Sequence, residues 1–529
     1  MNFARRRRIR PVQFDPRAVR AYLERTTDDW RWIKAVPREA LLEQVPRGFK
    51  FHTDPRTHQL ACFLVGLDQP RFLFLLGMGG GKTKLLLDLI RYRKFKGELQ
   101  RALVLYPNVI NLETWLAQAA QHAPDLSVTP LVGTAQKRWE LLERTDTDLC
   151  VMNFAGLSVF GSRPNRKGRG VIDTEAMERL ASHFNFFGVD ETHLGLSSQS
   201  SLFYDLCSYM SESVEYAYGC TGTVMDSDPT KIYSQFTAFD QGATFGSNFP
   251  LYRAAFFNPV QVRWGNGTDW RFDGSKKGDL SRILQHRSLR YEDNEVSDLP
   301  QMMPVTPIIV PMSKEQRDFD AILREEHKAR REAGEPPQNL WIRQRQTVAG
   351  FRVVSVDSEK HFVPFPKNPK AEALVQWIAE LPEDEKFIVS HEYIPSGSFI
   401  VPALKKLGVT FAGVGNGFKT PGLELRRFLT DHRCRAFVMN SSAGGTGVDG
   451  LQRVCRYGFL YETPSSPSRR RQVLKRLHRD GQQRRVYWYE AVARGIDIDT
   501  RLLRSIEQGQ DLFASIVDRD EKEVVLSRL

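Results

Sequence analysis

The residues best placed to do chemistry begin in the stretch LGMGGGKTKLLLDLI, residues 76–90. Gly77, Gly79, Gly80 and Gly81 precede Lys82 and Thr83, and a strand-like run and a helix-like run flank them. A glycine-rich turn of this kind can aim backbone N–H groups at phosphate oxygens, at the positive end of the helix that follows. Glycine allows the close backbone approach. Lys82 would then reach the β- and γ-phosphates of a nucleotide, and the Thr83 hydroxyl would ligate magnesium. The stretch departs from the strict pattern G-x-x-x-x-G-K-[ST], because Leu76 stands where the first glycine is required. By itself it reads either as a phosphate loop or as a structural turn before a lysine.

A nucleotide site also needs an acid at the end of a second buried strand, and NFFGVDETHLG, residues 185–195, supplies one. Asp190 would hold the magnesium, often through water, and Glu191 would polarise the attacking water. Taken alone, the pair also fits a plain strand-end turn with two solvated acids. The glycine loop weighs against that second reading.

Both motifs need a sheet to hold them. Short apolar runs recur at 71–77, 102–107, 148–153 and 185–191, and again at 386–393, 435–442 and 484–490. Runs of this length and continuity predict strands buried on both faces, as in a parallel sheet. Helical patterns such as KTKLLLDLIRYRKF and AEALVQWIAEL alternate with them, so the class is α/β. The middle of the chain differs. It holds the charged run SKEQRDFDAILREEHKARREAGE (313–335) and the proline-rich HFVPFPKNPK (361–370). Two α/β lobes with helical insertions between their cores are therefore expected, and 529 residues are enough for more than one core.

Composition narrows the partners. The net charge of +12 points to a polyanion, nucleic acid being the commonest. The six cysteines are scattered without a CxxC pair, so neither a disulfide framework nor a zinc module is expected. No apolar run of membrane-spanning length occurs, and the arginines at 5–8 are not followed by the apolar stretch of a secretory signal. That arginine run reads as a solvated tail or as added grip on DNA.

From here the motifs carry a family resemblance. DETH at 190–193 has the D-E-x-H form of superfamily-two helicases, and MGGGKT resembles the M-G-x-G-K-T loop of their Swi/Snf branch. RTHQLACFLVGL (56–67) resembles the adenine-reading segment, which makes Gln59 the candidate base contact. LVLYPNVINLETW (103–115) and CTGTV (220–224) resemble the next motifs in order. FDQGATFGSNFPLYRAAFF (239–257) and SLRYEDNEVSDLP (288–300) are similar to the branch's helical insertion. NSSAGGTGVDGLQ (440–452) resembles S-x-A-G-G-x-G-x-N-L-Q, and RQVLKRLHRDGQ (471–482) resembles Q-x-x-D-R-x-H-R-x-G-Q.

The resemblance spans nearly the whole chain, about residues 50–515. It implies two tandem RecA-like lobes with parallel sheets. The expected division is a basic N-terminal extension (1–48), an ATP-binding lobe (49–225), helical insertions and linker (226–366) and a helicase C-terminal lobe (367–529). It implies ATP and magnesium as cofactors, with Gly79, Gly80, Gly81, Lys82, Thr83 and Gly447 at the nucleotide and Arg476 and Arg479 as arginine fingers. It further implies nucleic-acid contact or coupling at Asn108, His193, Thr221, Gly222, Thr223, Ser441, Thr446 and Gln472. The expected activity is ATP-driven movement along duplex or forked DNA, independent of base sequence, by a monomer in a bacterial or phage-infected cytoplasm. The same core acting on RNA or on stalled complexes of RNA polymerase is the second reading, and a catalytically silent scaffold the third. Departures from the family pattern are Leu76 and Gly77 before M-G, Val224 for proline, Asp449 for asparagine and Lys475 for aspartate.

Overall fold

A computed structural model describes residues 14–517, apart from 78, 109–110, 166–167, 223–228, 262–267, 297–299, 301, 334–339, 357–358, 416, 419, 442–447 and 480. The chain divides into two compact units, one of Met1–Ser297 with Asp511–Leu529 and one of Asp298–Gln510.

In the first unit β1 (Arg71–Leu76), β2 (Ala102–Tyr106), β3 (Val128–Pro130) and β4 (Leu149–Asn153) are followed by a small hairpin of β5 (Ser162–Pro164) and β6 (Gly170–Ile172). Then come β7 (Phe186–Asp190), β8 (Tyr216–Cys220), a second hairpin of β9 (Phe257–Gln261) and β10 (Thr268–Phe272), and β11 (Ser288–Tyr291). Seven of these form one sheet in the order β11-β1-β8-β7-β2-β4-β3, every pairing parallel. The run RFLFLL becomes β1 because both its faces find apolar partners. Phe72, Phe74 and Leu76 enter one core, and Leu73 and Leu75 enter the other. That is the period of two expected of a central strand.

The second unit repeats the plan. It contains β12 (Thr306–Pro311), a hairpin of β13 (Phe351–Val356) and β14 (Glu359–Pro364), and β15 (Lys386–His391). β16 (Phe411–Val414), β17 (Ala436–Asn440), β18 (Cys455–Leu460) and β19 (Tyr487–Arg494) follow. Its six-stranded sheet runs β12-β19-β18-β15-β17-β16, again wholly parallel. Phe387 and Val389 of β15 enter one core and Ile388 the other. The α/β class and the two parallel sheets are thus as expected. Among the described residues no helix is long and apolar enough to cross a membrane.

Two boundaries fall differently from the expectation. Within the stretch 226–366, β11 pairs with β1 and β12 pairs with β19, so each sheet recruits a strand from it, and two hairpins stand beside its helices. The segment 14–48 is built into the first unit. Tyr22, Leu23, Ile33 and Leu41 are buried, the Tyr22 hydroxyl donates to Phe245 O at 2.8 Å, and Lys34 pairs with Glu295 at 2.9 Å. These partners lie more than two hundred residues away, beyond the reach of any local pattern. The arginines at 5–8 lie outside the described residues.

Candidate active site

In open parallel sheets ligands bind beyond the carboxyl ends of the strands. In the first unit β1, β7 and β8 are neighbours, so their C-terminal ends bring the glycine loop, Asp190 and Thr221 together. β1 runs into the glycines, and the helix Lys82–Phe95 follows with Gly81 as its N-terminal cap. Gly79 and Gly81 adopt φ of +78° and +75°, the left-handed region that a Cβ disfavours. No side chain caps this helix, so its first N–H groups are not taken by a capping residue. A Cβ on Gly81 would lie 1.9 Å from the Gln59 amide nitrogen. A side chain at Gly81 would therefore be strained at this φ and would have to displace the Gln59 amide.

The RTHQ segment wraps the outside of this turn. His58 Nε2 lies 2.9 Å from Gly80 O, Gln59 Nε2 donates to the same carbonyl at 3.2 Å, and Arg56 Nη1 donates to Gly79 O at 3.3 Å. The side-chain amide oxygen of Gln59 accepts from the Arg56 backbone N–H at 2.9 Å. Sequence reasoning singled out Gln59 and missed Arg56 and His58. The three sit within four residues, and that spacing was the available signal.

Lys82 is 9% exposed, and its Nζ stands 3.1 Å from Glu191 Oε1. Burial opposes its charge, but Glu191 and Asp190 outweigh it, and its pKa is raised. Asp190 is equally buried at 9%. Burial first, and the adjacent Glu191 second, push its pKa up to about 7, against Lys82, the Glu191 amide and the Trp115 indole. Its Oδ1 is buried without a hydrogen-bond partner among the described residues. An orphaned carboxylate oxygen at a strand end is a fit donor for a hard cation, and the partly buried Thr83 hydroxyl adds oxygen of the same kind.

Glu191 is one of two non-glycine residues at positive φ among the described residues, at 56°. That conformation costs about 1 kcal/mol or more and persists only where the surroundings impose it. It leaves the carboxylate between Lys82 and His193, whose Nδ1 is 3.4 Å from Glu191 Oε2. The same Nδ1 shares a 2.8 Å hydrogen bond with Thr221 Oγ1. Thr221 is fully buried, its amide donates to Phe74 O at 3.1 Å, and a Cβ on the adjacent Gly222 would lie 3.0 Å from Leu76 O. After β2, Asn108 O accepts from the Asn111 amide at 3.0 Å, and the Asn108 amide donates to Asn111 Oδ1 at 3.3 Å.

The second unit holds the remaining candidates. Arg476 Nη1 donates to Val448 O at 2.6 Å, and Arg479 Nη1 lies 3.3 Å from Asp449 Oδ1. Asp449 stands where the family pattern has asparagine, and it faces the arginine expected to be a finger. Burial opposes its charge, but Arg479 and then the Gly450 amide hold its pKa below the usual carboxylate range. Lys475, the other departure in this region, has its Nζ 3.2 Å from His478 Nδ1, while His478 Nε2 donates to Pro300 O at 2.7 Å. Gln472 is buried in the helix Pro467–Leu474, and Ser441 donates to Glu392. Thr223, Thr446 and Gly447 lie outside the described residues.

This geometry can be set beside known proteins. The Pyrococcus furiosus Hef helicase domain overlays 85% of this chain and 98% of its own length, with a TM-score of 0.51 at 14% identity. The chain is helicase-like in fold. A Sulfolobus solfataricus SWI2/SNF2 ATPase core in complex with dsDNA covers 90% of the chain at 16% identity, but its TM-score of 0.41 is too loose to carry an argument. In sequence, a Bacillus subtilis protein named uncharacterized ATP-dependent helicase YqhH is 26% identical over 151 residues, 28% of this chain and 26% of its own. A Drosophila ananassae protein, DNA repair and recombination protein RAD54-like, is 31% identical over 93 residues, 17% of this chain and 11% of its own. The aligned segments thus span 26% and 11% of these relatives' own lengths. No protein-family model matches the chain. The names of these two relatives agree with a helicase-type resemblance over the segments they cover.

Proposed function

We propose that the chain hydrolyses ATP and uses the energy to move along or remodel duplex or forked DNA, or to displace protein bound to it. The observation that carries this reading is the Asp190–Glu191 pair beside Lys82. One carboxylate is buried with an oxygen to spare, and the other is held by the loop lysine. A structural turn with solvated acids would bury neither. The relatives' names, helicase and DNA repair and recombination protein, support DNA as the polymer.

In this reading Asp190 and Thr83 would hold magnesium, which when bound offsets phosphate charge. The open N-terminus of the helix Lys82–Phe95 and the Lys82 ammonium bind the phosphates. Glu191 orients the attacking water and accepts its proton, as a carboxylate already beside a cation can do. His193 ties Glu191 to Thr221, so a shift of the Thr221 segment reaches the hydrolytic carboxylate through two side-chain contacts. Arg476 and Arg479 are proposed to stabilise charge on the transferring phosphoryl group. Grip on DNA through phosphates makes binding salt-sensitive and blind to base sequence.

The test is ATP hydrolysis by the purified chain alone and with duplex DNA, forked DNA, single-stranded DNA or RNA, with Glu191→Gln as control. Stimulation by duplex or forked DNA that disappears in the variant is the expected result. Stimulation by RNA alone would transfer the reading to RNA or transcription complexes. No hydrolysis under any condition would overturn it.

A further inference from the structure

Glu392 directly follows β15 in the second unit, at the carboxyl end of the sheet, and no motif singles it out. Its backbone is fixed on both sides. The amide donates to Glu462 Oε2 at 2.8 Å, and the carbonyl accepts from Asn440 Nδ2 at 2.9 Å. Its carboxylate, 10% exposed, is divided between two partners' territories. Oε2 accepts from the Ser441 hydroxyl, at the end of β17. Oε1 accepts from Ser465 Oγ and from Arg469 Nη1, both at 3.0 Å. Arg469 lies in the first turn of the helix Pro467–Leu474, which leads to Arg476 and Arg479, and its side chain keeps 39% exposure.

One buried carboxylate thus spans two segments to which the family resemblance gives different tasks: Ser441 to nucleic acid and the helix after Ser466 to the arginines. Charge-assisted hydrogen bonds in a water-poor setting are strong and geometrically demanding. A carboxylate with two occupied oxygens cannot follow one segment without pulling on the other. We propose that Glu392 is a positioning residue that couples the Ser441 segment to the Arg469 helix, so that nucleic-acid engagement and the arginine-bearing segment move together. This rests on the function proposed above. A mere structural tie would support the fold equally whether or not DNA is bound, and that difference is measurable.

The experiment titrates duplex DNA into the ATPase reaction of the full chain for wild type, Glu392→Gln, Ser441→Ala and the double variant. Glutamine keeps the size but offers one acceptor and an N–H₂ group that cannot accept from Arg469. Glu392→Gln should raise the duplex concentration for half-maximal stimulation about tenfold, while the KM for ATP without DNA stays within about twofold. Adding Ser441→Ala to it should cost clearly less than the sum of the two single losses, since coupled sites are not additive. If Glu392→Gln does not fold, non-additivity between Ser441→Ala and Arg469→Ala reads the same link. Additive losses, a Glu392→Gln variant equal to wild type, or an equal loss with and without DNA would each overturn the inference while the function stands. A wild type that neither binds nor responds to duplex removes the function and this inference with it.

Discussion

Lys82 Nζ lies 3.1 Å from Glu191 Oε1, so the loop that would bind phosphate and the acid that would activate water already share one ion pair. Because both side chains are largely buried, deleting either leaves a charge without its partner. Glu191→Gln keeps a group that can meet Lys82 and should retain nucleotide binding while losing hydrolysis by about 100-fold or more. Lys82→Ala should lose both. Fluorescent-nucleotide titration alongside phosphate release separates these outcomes, and a Glu191→Gln variant that still hydrolyses would dismiss Glu191 as the base.

Gly81 and Gly97 share a left-handed backbone, with φ of +75° and +70°, but differ in their surroundings. A Cβ at Gly97 meets nothing within 4 Å, whereas at Gly81 it collides with Gln59. Gly97→Ala should therefore cost only the backbone strain, about 1 kcal/mol. Gly81→Ala should cost clearly more and weaken nucleotide binding as well. Denaturant melts of the two variants measure the difference, and equal melts would show that Gln59 yields freely.

Asp190 sets a pH dependence of stability. Its folded pKa, pushed up to about 7, lies above the ordinary carboxylate value, so the folded form holds the extra proton between roughly pH 4 and pH 7. Stability from this group is therefore greatest at low pH and is lost as pH rises through 7. Asp190→Asn should melt higher than wild type at pH 8 without magnesium, by a few degrees, and the gap should close at pH 5. A gap that widens at low pH would contradict the burial argument. Hydrolysis in the same variant should fall steeply at every pH.

Asp449 tests the largest departure at the arginines. Its ion pair with Arg479 is partly exposed, so Asp449→Asn should change stability by less than about 1 kcal/mol. It also removes a carboxylate that competes with phosphate for Arg479, so hydrolysis should rise a few-fold, and the rise should vanish in an Arg479→Ala background. Steady-state rates of the four proteins decide it, and a rise that survives Arg479→Ala would exclude competition for that side chain.

Thr221→Val removes the hydroxyl that meets His193 while keeping size and burial. Basal hydrolysis should persist while stimulation by duplex falls several-fold, about the loss of one buried hydrogen bond. Rates with and without duplex check it, and unchanged stimulation would break the proposed link from the Thr221 segment to Glu191.

What the sequence determined by itself is local. Strands such as β1 and β7 were legible because apolar runs bury both faces, and the glycine loop because its spacing sits between strand and helix. The pairing of acid and loop was legible because each motif ends a strand, and their order along the chain matched a known pattern. Only the tertiary structure decided that β11 joins β1, that β12 joins β19, and that residues 14–48 belong to the first core. Only it turned Gln59 onto Gly80, put Asp449 against Arg479 and gave Glu392 its partners. The reason is physical. Periodicity and turn chemistry act over a few residues and are written in them, whereas these contacts join residues as much as 261 apart in the chain and arise only when packing closes the loop between them.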